Sequence, residues 1–288
     1  MLTYPPLFKI GLAPLAPEKW LTIDERLLHY LEEKDRRFED APDEVFMALP
    51  ETDEAQEEIL GRVLTYIESQ YGALYEHQKG GVLIQNVRHV PLDDGVPPLL
   101  QAARLIQDDL LLMRKTESGW ILAAGALFFP SSWRLSEKFK RPMHEIHAPV
   151  PGFSEGTRNA LLIERIFDNL KPSEPLRREN WGLYADDNLV HEKKRAKHAD
   201  RFDDPVFLTD PFVRSEVQTL TKLPRSGDIL FTVRIDVARL SIVRSRPGGA
   251  EATAHLSRNL AAMEPEQLRY KGLDKARDEL LLHLQRSG

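Results

Sequence analysis

The chain has 288 residues, a net charge of −6 and no cysteine. The lack of cysteine excludes disulfides, thiolate catalysis, cysteine-ligated zinc and cysteine-held iron–sulfur clusters within the chain. The acidic balance argues against a broad nucleic-acid surface, which needs a basic face. The N-terminus lacks a basic segment followed by a long apolar run, and the longest apolar stretch, 121–130, is too short for a membrane-spanning helix. We therefore expect a cytoplasmic protein that binds neither nucleic acid nor membrane.

The first third of the sequence has the pattern of helices. Apolar residues recur at helical spacing between Ile23 and Leu31, and Pro42 ends that pattern. A helix is predicted over 52–71, where an acidic first turn suits the helix dipole and an apolar stripe follows. A shorter helix is predicted over 98–107.

The middle of the chain changes to strand-like patterns. Apolar runs predict strands over 109–114 and 119–129, joined by a hairpin turn at 116–119. A helix is predicted over 133–140. A further helix over 155–170 follows an extended segment that contains two prolines.

The last third combines strands with C-terminal helices. Strands are predicted over 177–184, 213–220 and 228–235, the last two as a hairpin. The charged stretch 186–204 is interpreted as a solvated surface insertion. The C-terminal part is predicted to be helical, with one apolar face formed by Leu273, Ala276, Leu280 and Leu284.

Strands paired in hairpins, with helices grouped before and after them, predict an α+β protein with a mainly antiparallel sheet. The alternation of strands and helices that a dinucleotide-binding fold requires is missing. The sequence also lacks a glycine-rich dinucleotide loop, a P-loop, an H-E-x-x-H helix and a nucleophile elbow.

Two of the nine histidines have a context that suits a ligand. His144 and His147 are three residues apart, just before a Pro-Val-Pro turn, so on a helix they share a face. They offer a two-histidine metal clamp, although no further ligand stands at a recognisable spacing; neutral imidazole is also a standard proximal ligand of haem iron. The other seven histidines are interpreted as exposed structural residues.

The carboxylates form no clear catalytic pair. Asp108 and Asp109 lie at a predicted helix-to-strand junction, where capping is the simplest interpretation. Glu216 stands inside an otherwise apolar strand, where a carboxylate either faces solvent or serves a site, and solvent is the commoner case.

A set of short segments occurs in an order typical of one protein family. The segments are 11–15 with Trp20, Leu21 and Asp24, then 42–50, 107–110 with Leu112 and Met113, 129–135 with Lys138, 146–152 (Ile-His-Ala-Pro-Val-Pro-Gly), 180–181, 218–220, 223–227, 231–232 and 270–273. On these segments, which cover almost the whole chain, the protein resembles the haem-dependent oxidative N-demethylase-like family. The ordered set, rather than any single segment, makes the resemblance specific.

The resemblance implies a PAS-like antiparallel sheet that holds haem b, flanked by N- and C-terminal helices. It implies one haem-binding domain over 1–288, with a helical part over about 1–107, a PAS-like core over about 108–236 and C-terminal helices over about 237–288. The implied function is that of a haem-dependent monooxygenase subunit, which demethylates a small secondary amine such as dimethylamine with dioxygen. Electrons would come from NADPH through separate flavin and iron–sulfur reductase components or a ferredoxin-type partner, which agrees with the lack of cysteine.

By the same resemblance, His147 is the proximal ligand of the haem iron. Trp133, Arg134 and Lys138 lie just upstream and are candidates for the haem pocket. Arg134 and Lys138 are four residues apart, so they either pair with haem propionates from one helix face or form an ordinary surface pair. Glu216 is a candidate catalytic group on the distal side.

Two positions depart from the family pattern. Family members commonly have arginine where this chain has Val217, and the next strand ends in Arg-Ile-Asp at 234–236 rather than in Thr-Tyr. Valine cannot hold oxygen or substrate through charged hydrogen bonds. The departure therefore favours an alternative, a non-catalytic haem-binding sensor or storage protein; a haem-free structural relative is a third interpretation.

Overall fold

The computed structural model describes residues 4–92, 95–191, 202 and 208–285. The helices among them are α1 (Leu27–Asp40), α2 (Pro42–Val45), α3 (Asp53–Tyr71), α4 (Pro98–Ala103), α5 (Leu135–Lys138), α6 (Met143–His147), α7 (Arg158–Asn169), α8 (Leu240–Ser245), α9 (Gly249–Ala261), α10 (Pro265–Lys271) and α11 (Arg277–Gln285), with short 3-10 helices at Pro17–Lys19 and Pro50–Thr52. The strands are β1 (Ala13–Pro14), β2 (Phe46–Ala48), β3 (Tyr75–Gln78), β4 (Gly81–Ile84), β5 (Arg88–Pro91), β6 (Asp109–Thr116), β7 (Gly119–Ala126), β8 (Leu176–Tyr184), β9 (Phe212–Lys222) and β10 (Ile229–Arg239).

Seven of these strands form one antiparallel sheet in the order β1-β8-β9-β10-β6-β7-β2. Its two long hairpins, β6–β7 and β9–β10, lie side by side because β10 pairs with β6. A second sheet contains β3, β4 and β5. The prediction of an α+β protein with an antiparallel sheet is therefore confirmed, and its likeness to a PAS domain stays a prediction.

Alternate residues of β6 face opposite sides of the sheet, and both sides are covered. Leu110 and Leu112 belong to an apolar core with α1, α3 and α4. Leu111 and Met113 belong to a second core with α5, α6 and α7. The C-terminal helices pack against the far ends of β8 and β9 in a third apolar cluster, which buries the whole predicted apolar face: Leu273, Ala276, Leu280 and Leu284.

Two predicted helices are shorter in the structure. The helix predicted over 133–140 is reduced to α5, a single turn, because Arg134 before it and Phe139 after it have non-helical backbone, with ψ of 150° and 132°. The helix predicted over 98–107 ends at Ala103. The site residues near 133–138 therefore lie mostly on irregular backbone rather than on one helix face.

Some features lie beyond what the sequence patterns predicted. The second sheet and the strands β1 and β2 were not predicted, because strands of two to four residues are too short to show a period. The predicted insertion over 186–204 falls largely outside the described residues. In the described part of the chain, none of the helices has the length and apolar character that a membrane crossing requires.

Candidate functional site

A cavity of about 480 Å³ lies on the side of the seven-stranded sheet that α5, α6 and α7 cover. Its volume falls within the range of small-molecule and cofactor sites. Phe8 and Tyr270, which pack edge to face with ring centroids 5.8 Å apart, line it from the two ends of the chain. Much of the wall is apolar and includes Leu111, Met113, Leu122, Phe153, Ile163 and Phe167.

Three neighbouring strands present alternate residues to this cavity. In the register of β8, β9 and β10, Asn180 and Ile235 flank Glu216, and Arg178 and Val233 flank Gln218. All six side chains belong to residues that line the cavity. The polar groups of the cavity floor therefore come from β8 and β9, and the apolar ones from β10.

Val217 lies between these positions and faces the other side of the sheet, because successive residues of a strand alternate. The expectation that valine removes a charged group from the pocket is therefore wrong. Arg234 is the direct partner of Val217 in the register and also faces away from the cavity, where its guanidinium donates to Asp24 at 2.7 Å. An arginine at 217 would oppose Arg234 directly, and like charges in that relation destabilise a sheet.

His147 is the last residue of α6, is partly buried and lines the cavity. Its Nδ1 lies 3.1 Å from the carbonyl oxygen of Met143, so Nδ1 carries the proton and Nε2 keeps its lone pair. Burial, together with the positive charge of Lys138, lowers the pKa of His147 to about 4 in spite of that hydrogen bond. The imidazole is therefore neutral at pH 7, which is the form that binds metals.

The neighbouring His144 is not among the cavity-lining residues, so the two histidines of α6 do not act on the cavity together. Across residues 4–92, 95–191, 202 and 208–285, no three His, Cys, Asp or Glu side chains converge as a metal-binding group. The structure thus gives no support to a two-histidine clamp.

The three residues predicted beside His147 have different positions. Trp133 and Lys138 line the cavity, and the Lys138 ammonium lies 4.0 Å from the centre of the Trp133 ring. Arg134 precedes α5 as its N-cap and is not among the cavity-lining residues. A shared helix face for Arg134 and Lys138 is excluded, because Arg134 has extended backbone (φ −117°, ψ 150°).

Glu216 faces the cavity, not solvent, and its side chain is only 17% exposed. The preference for a solvent-facing role was therefore wrong. Asn180 Nδ2 and Gln218 Nε2 each donate to its Oε2 at 3.0 Å, and Arg214 Nε lies 3.8 Å from its Oε1. Burial opposes ionisation, but Arg214 and the two amides outweigh it and lower the pKa of Glu216, so the carboxylate is charged at pH 7.

The Asp109 carboxylate holds the start of the loop that follows β7. It accepts hydrogen bonds from the backbone N–H groups of Phe128 and Phe129, each at 3.0 Å, and is fully buried. Arg214, which is 1% exposed, donates to the carbonyl oxygens of Phe129 and Leu189 at 2.9 Å. Asp109 is thus a tertiary anchor rather than the helix cap that was expected.

Arg178 is a cavity residue that the sequence patterns did not single out. It stands in β8 between two other charged residues, Arg177 and Glu179, and only the register with β9 assigns it to the cavity face. Burial lowers the pKa of Arg178 against the opposing charge of Glu216. A strand prediction that included the pairing partner would have been needed to find it.

The cavity combines groups that suit a flat, apolar ligand with an acidic edge and a metal centre. It has one neutral imidazole with a free Nε2, cationic side chains at Lys138 and Arg178, and apolar walls. A haem requires these features, because its iron takes a proximal imidazole and its propionates need charged partners. The residues present therefore fit a haem group.

A comparison with protein families identifies one match. The model of a family described as "Haem-dependent oxidative N-demethylase, alpha subunit-like" matches residues 11–281 of the chain. The match includes α6, the cavity-lining strands and α10.

Proposed function

The chain belongs to the haem-dependent oxidative N-demethylase, alpha subunit-like family, and on that premise we propose that it is a haem b monooxygenase subunit that demethylates a small secondary amine. The observation that carries the proposal is His147 in the cavity wall, neutral and with Nε2 free. Dimethylamine-like compounds and dioxygen are the proposed substrates.

His147 would ligate the iron through Nε2. The hydrogen bond from Nδ1 to the Met143 carbonyl fixes the tautomer and the orientation of the ring, as outer-shell partners of ligating histidines usually do. Trp133 and Lys138, which line the cavity, would contact the bound group. When bound, haem supplies the oxygen-activating redox chemistry, and the chain supplies ligation, pocket polarity and access.

Glu216 would hold the amine. Secondary amines are protonated at neutral pH, and an ionised carboxylate binds such a cation through charge-assisted hydrogen bonds. A carboxylate with a lowered pKa is a weak proton acceptor, so its proposed role is binding and orientation of the cation more than removal of its proton. Asn180 and Gln218 keep the carboxylate oriented.

Electrons would come from NADPH through separate flavin and iron–sulfur components or a ferredoxin-type partner. A chain without cysteine has no thiolates with which to hold an iron–sulfur cluster. A cytoplasmic location, where NADPH is available, belongs to the same proposal. A sensor or storage function was favoured by Val217, and that support falls away because Val217 faces away from the cavity.

The first test is an absorption spectrum of the haem-reconstituted chain. We expect a Soret band in the wild type and a shifted, weaker band with lower haem affinity in His147→Ala, because the proximal ligand is lost. His144→Ala, on the same helix and outside the cavity lining, is the matched control and should keep the wild-type spectrum. A wild type without a Soret band, or a His147→Ala variant indistinguishable from it, would contradict the proposal.

The second part of the test is turnover. The reconstituted wild type, supplied with NADPH, a competent reductase and dimethylamine, should release formaldehyde. Haem binding without formaldehyde over a series of small amines would instead support the sensor or storage function.

A further inference from the structure

Arg178 presents a guanidinium to the cavity that the protein itself does not neutralise. Its Nε is buried without a hydrogen-bond partner, and no described side chain or carbonyl accepts a hydrogen bond from it. Of the described carboxylates, none forms an ion pair with it; the charge of Glu216 acts on it only from beyond contact distance.

Two neighbouring arginines differ from Arg178, because their guanidinium groups donate to acceptors within the protein. Arg177, one residue earlier and on the opposite face, donates to Glu179 at 2.7 Å. Arg214, on the cavity face of β9, donates from its two terminal nitrogens to backbone carbonyls at 2.9 Å, although its Nε also lacks a hydrogen-bond partner among the described residues. A partly buried cation without such partners is costly, so the position of Arg178 points to an anion that the cavity takes up.

The shape of the Arg178 guanidinium indicates which class of anion it binds. A guanidinium offers parallel N–H donors that match the two oxygens of a carboxylate. Arg178, Lys138 and His147 all line the cavity, and the charges of both cations act on the imidazole. A ligand held at His147 would thus present its acidic edge to Arg178.

We propose that Arg178 anchors a carboxylate of the cavity ligand, which is a haem propionate. This inference rests on the proposed haem function. It replaces Arg134, which is not among the cavity-lining residues, by an arginine of β8. Arg178 is a cofactor-binding residue in this assignment and takes no part in the oxidation itself.

The test compares two probes on the full chain freed of haem: haemin, and haemin dimethyl ester, whose propionates carry no charge. Arg178→Gln should weaken haemin binding by about tenfold or more, as expected for the loss of a hydrogen-bonded charge pair. The same variant should bind the ester as tightly as the wild type does. Arg178→Lys keeps the charge but not the forked pair of N–H donors, so its haemin affinity should fall between those of the wild type and Arg178→Gln.

Arg177→Gln is the matched control, since it changes the adjacent residue on the opposite face, and its haemin affinity should equal that of the wild type. Circular dichroism of each variant checks that the fold is kept.

Equal haemin affinity of Arg178→Gln and wild type, or equal losses for haemin and ester, would overturn the inference while the haem function stands. If Arg178→Gln binds haemin normally but loses affinity for N-methylglycine, the carboxylate is that of a substrate and the propionate assignment is wrong. A wild type that binds neither probe removes the haem function, and this inference with it.

Discussion

Glu216 keeps its charge in the cavity because its neighbours donate to it. Two side-chain amides and the Arg214 guanidinium surround a carboxylate that burial alone would favour in its neutral form. At the scale of one residue, the chemistry of this position is therefore set by β8 and β9 together, not by the side chain alone.

Replacing this carboxylate by its amide should reduce amine binding. In Glu216→Gln we expect the affinity of the haem-loaded chain for dimethylamine to fall by about tenfold or more, because the charge that pairs with the ammonium is lost. The affinity can be measured by calorimetry or by the change in the Soret band. Glu179→Gln, which alters a carboxylate on the opposite face paired with Arg177, is the control.

The pH profile follows from the direction of the pKa shift. Because the pKa of Glu216 lies below its ordinary value of 4.5, the wild type should keep its amine affinity from neutral pH down to about pH 5 and lose it only at lower pH. Glu216→Gln should lack this acid limb. An unchanged amine affinity in Glu216→Gln would remove Glu216 from the substrate site.

At the scale of elements, Lys34 joins α1 to the segment between α4 and β6. Its ammonium is fully buried and donates to the carbonyl oxygens of Ala103, Ile106 and Asp108 at 2.9, 3.0 and 2.5 Å. It also lies 4.8 Å from the centre of the Phe128 ring. Ala103 ends α4, so the lysine satisfies one carbonyl that has no further helical partner, and it also binds two carbonyls of the segment that follows.

Lys34→Met should destabilise the protein strongly. The variant leaves three buried carbonyls without a donor and removes the cation beside Asp108 and Asp109, so we expect a loss of about 3–5 kcal/mol in the free energy of unfolding. Urea unfolding followed by circular dichroism measures it. Arg36→Met, on the exposed face of α1, should change stability by less than about 1 kcal/mol. A loss in Lys34→Met no larger than in Arg36→Met would contradict this role.

At the scale of the molecule, Asp24 connects the N-terminal segment to the central strands. Its carboxylate accepts from Arg234 of β10 at 2.7 Å, from Gln107 before β6 at 2.8 Å and from Arg26 at 3.1 Å. Burial opposes ionisation, but Arg234, Gln107 and Arg26 outweigh it and lower the pKa of Asp24 to about 2. The contacts join residues more than eighty positions apart along the chain.

The lowered pKa makes this connection sensitive to acid. Because the folded-state pKa is below the unfolded value of 3.8, its stabilisation is complete above about pH 4 and is lost as the pH falls towards 2. Asp24→Asn should therefore lose about 2 kcal/mol of unfolding free energy at pH 7. The difference from wild type should shrink below pH 4. Glu25→Gln, an exposed neighbour, is the control; a difference for Asp24→Asn that is constant from pH 7 to pH 2 would refute the linkage.

Much of the fold could be predicted from local patterns. The hairpins β6–β7 and β9–β10 and the long helix α3 follow from apolar periods that their sequences carry. The ordered segments indicated the family, and His147 could be named as a candidate iron ligand because its neighbours in sequence belong to one of those segments. The division of the chain into an N-terminal part, a core and C-terminal helices stays a prediction.

The tertiary structure alone decided which strand residues face the cavity. A strand's sequence shows that residues alternate, but its pairing partners and the covering helices determine which set is enclosed. For this reason Glu216 and Arg178 proved to be cavity residues, Val217 proved to be outside it, and Asp109 proved to anchor a distant loop. The sequence thus determined the elements and the family, whereas the register of β8, β9 and β10 decided which charges meet in the cavity, because those charges come from segments far apart along the chain.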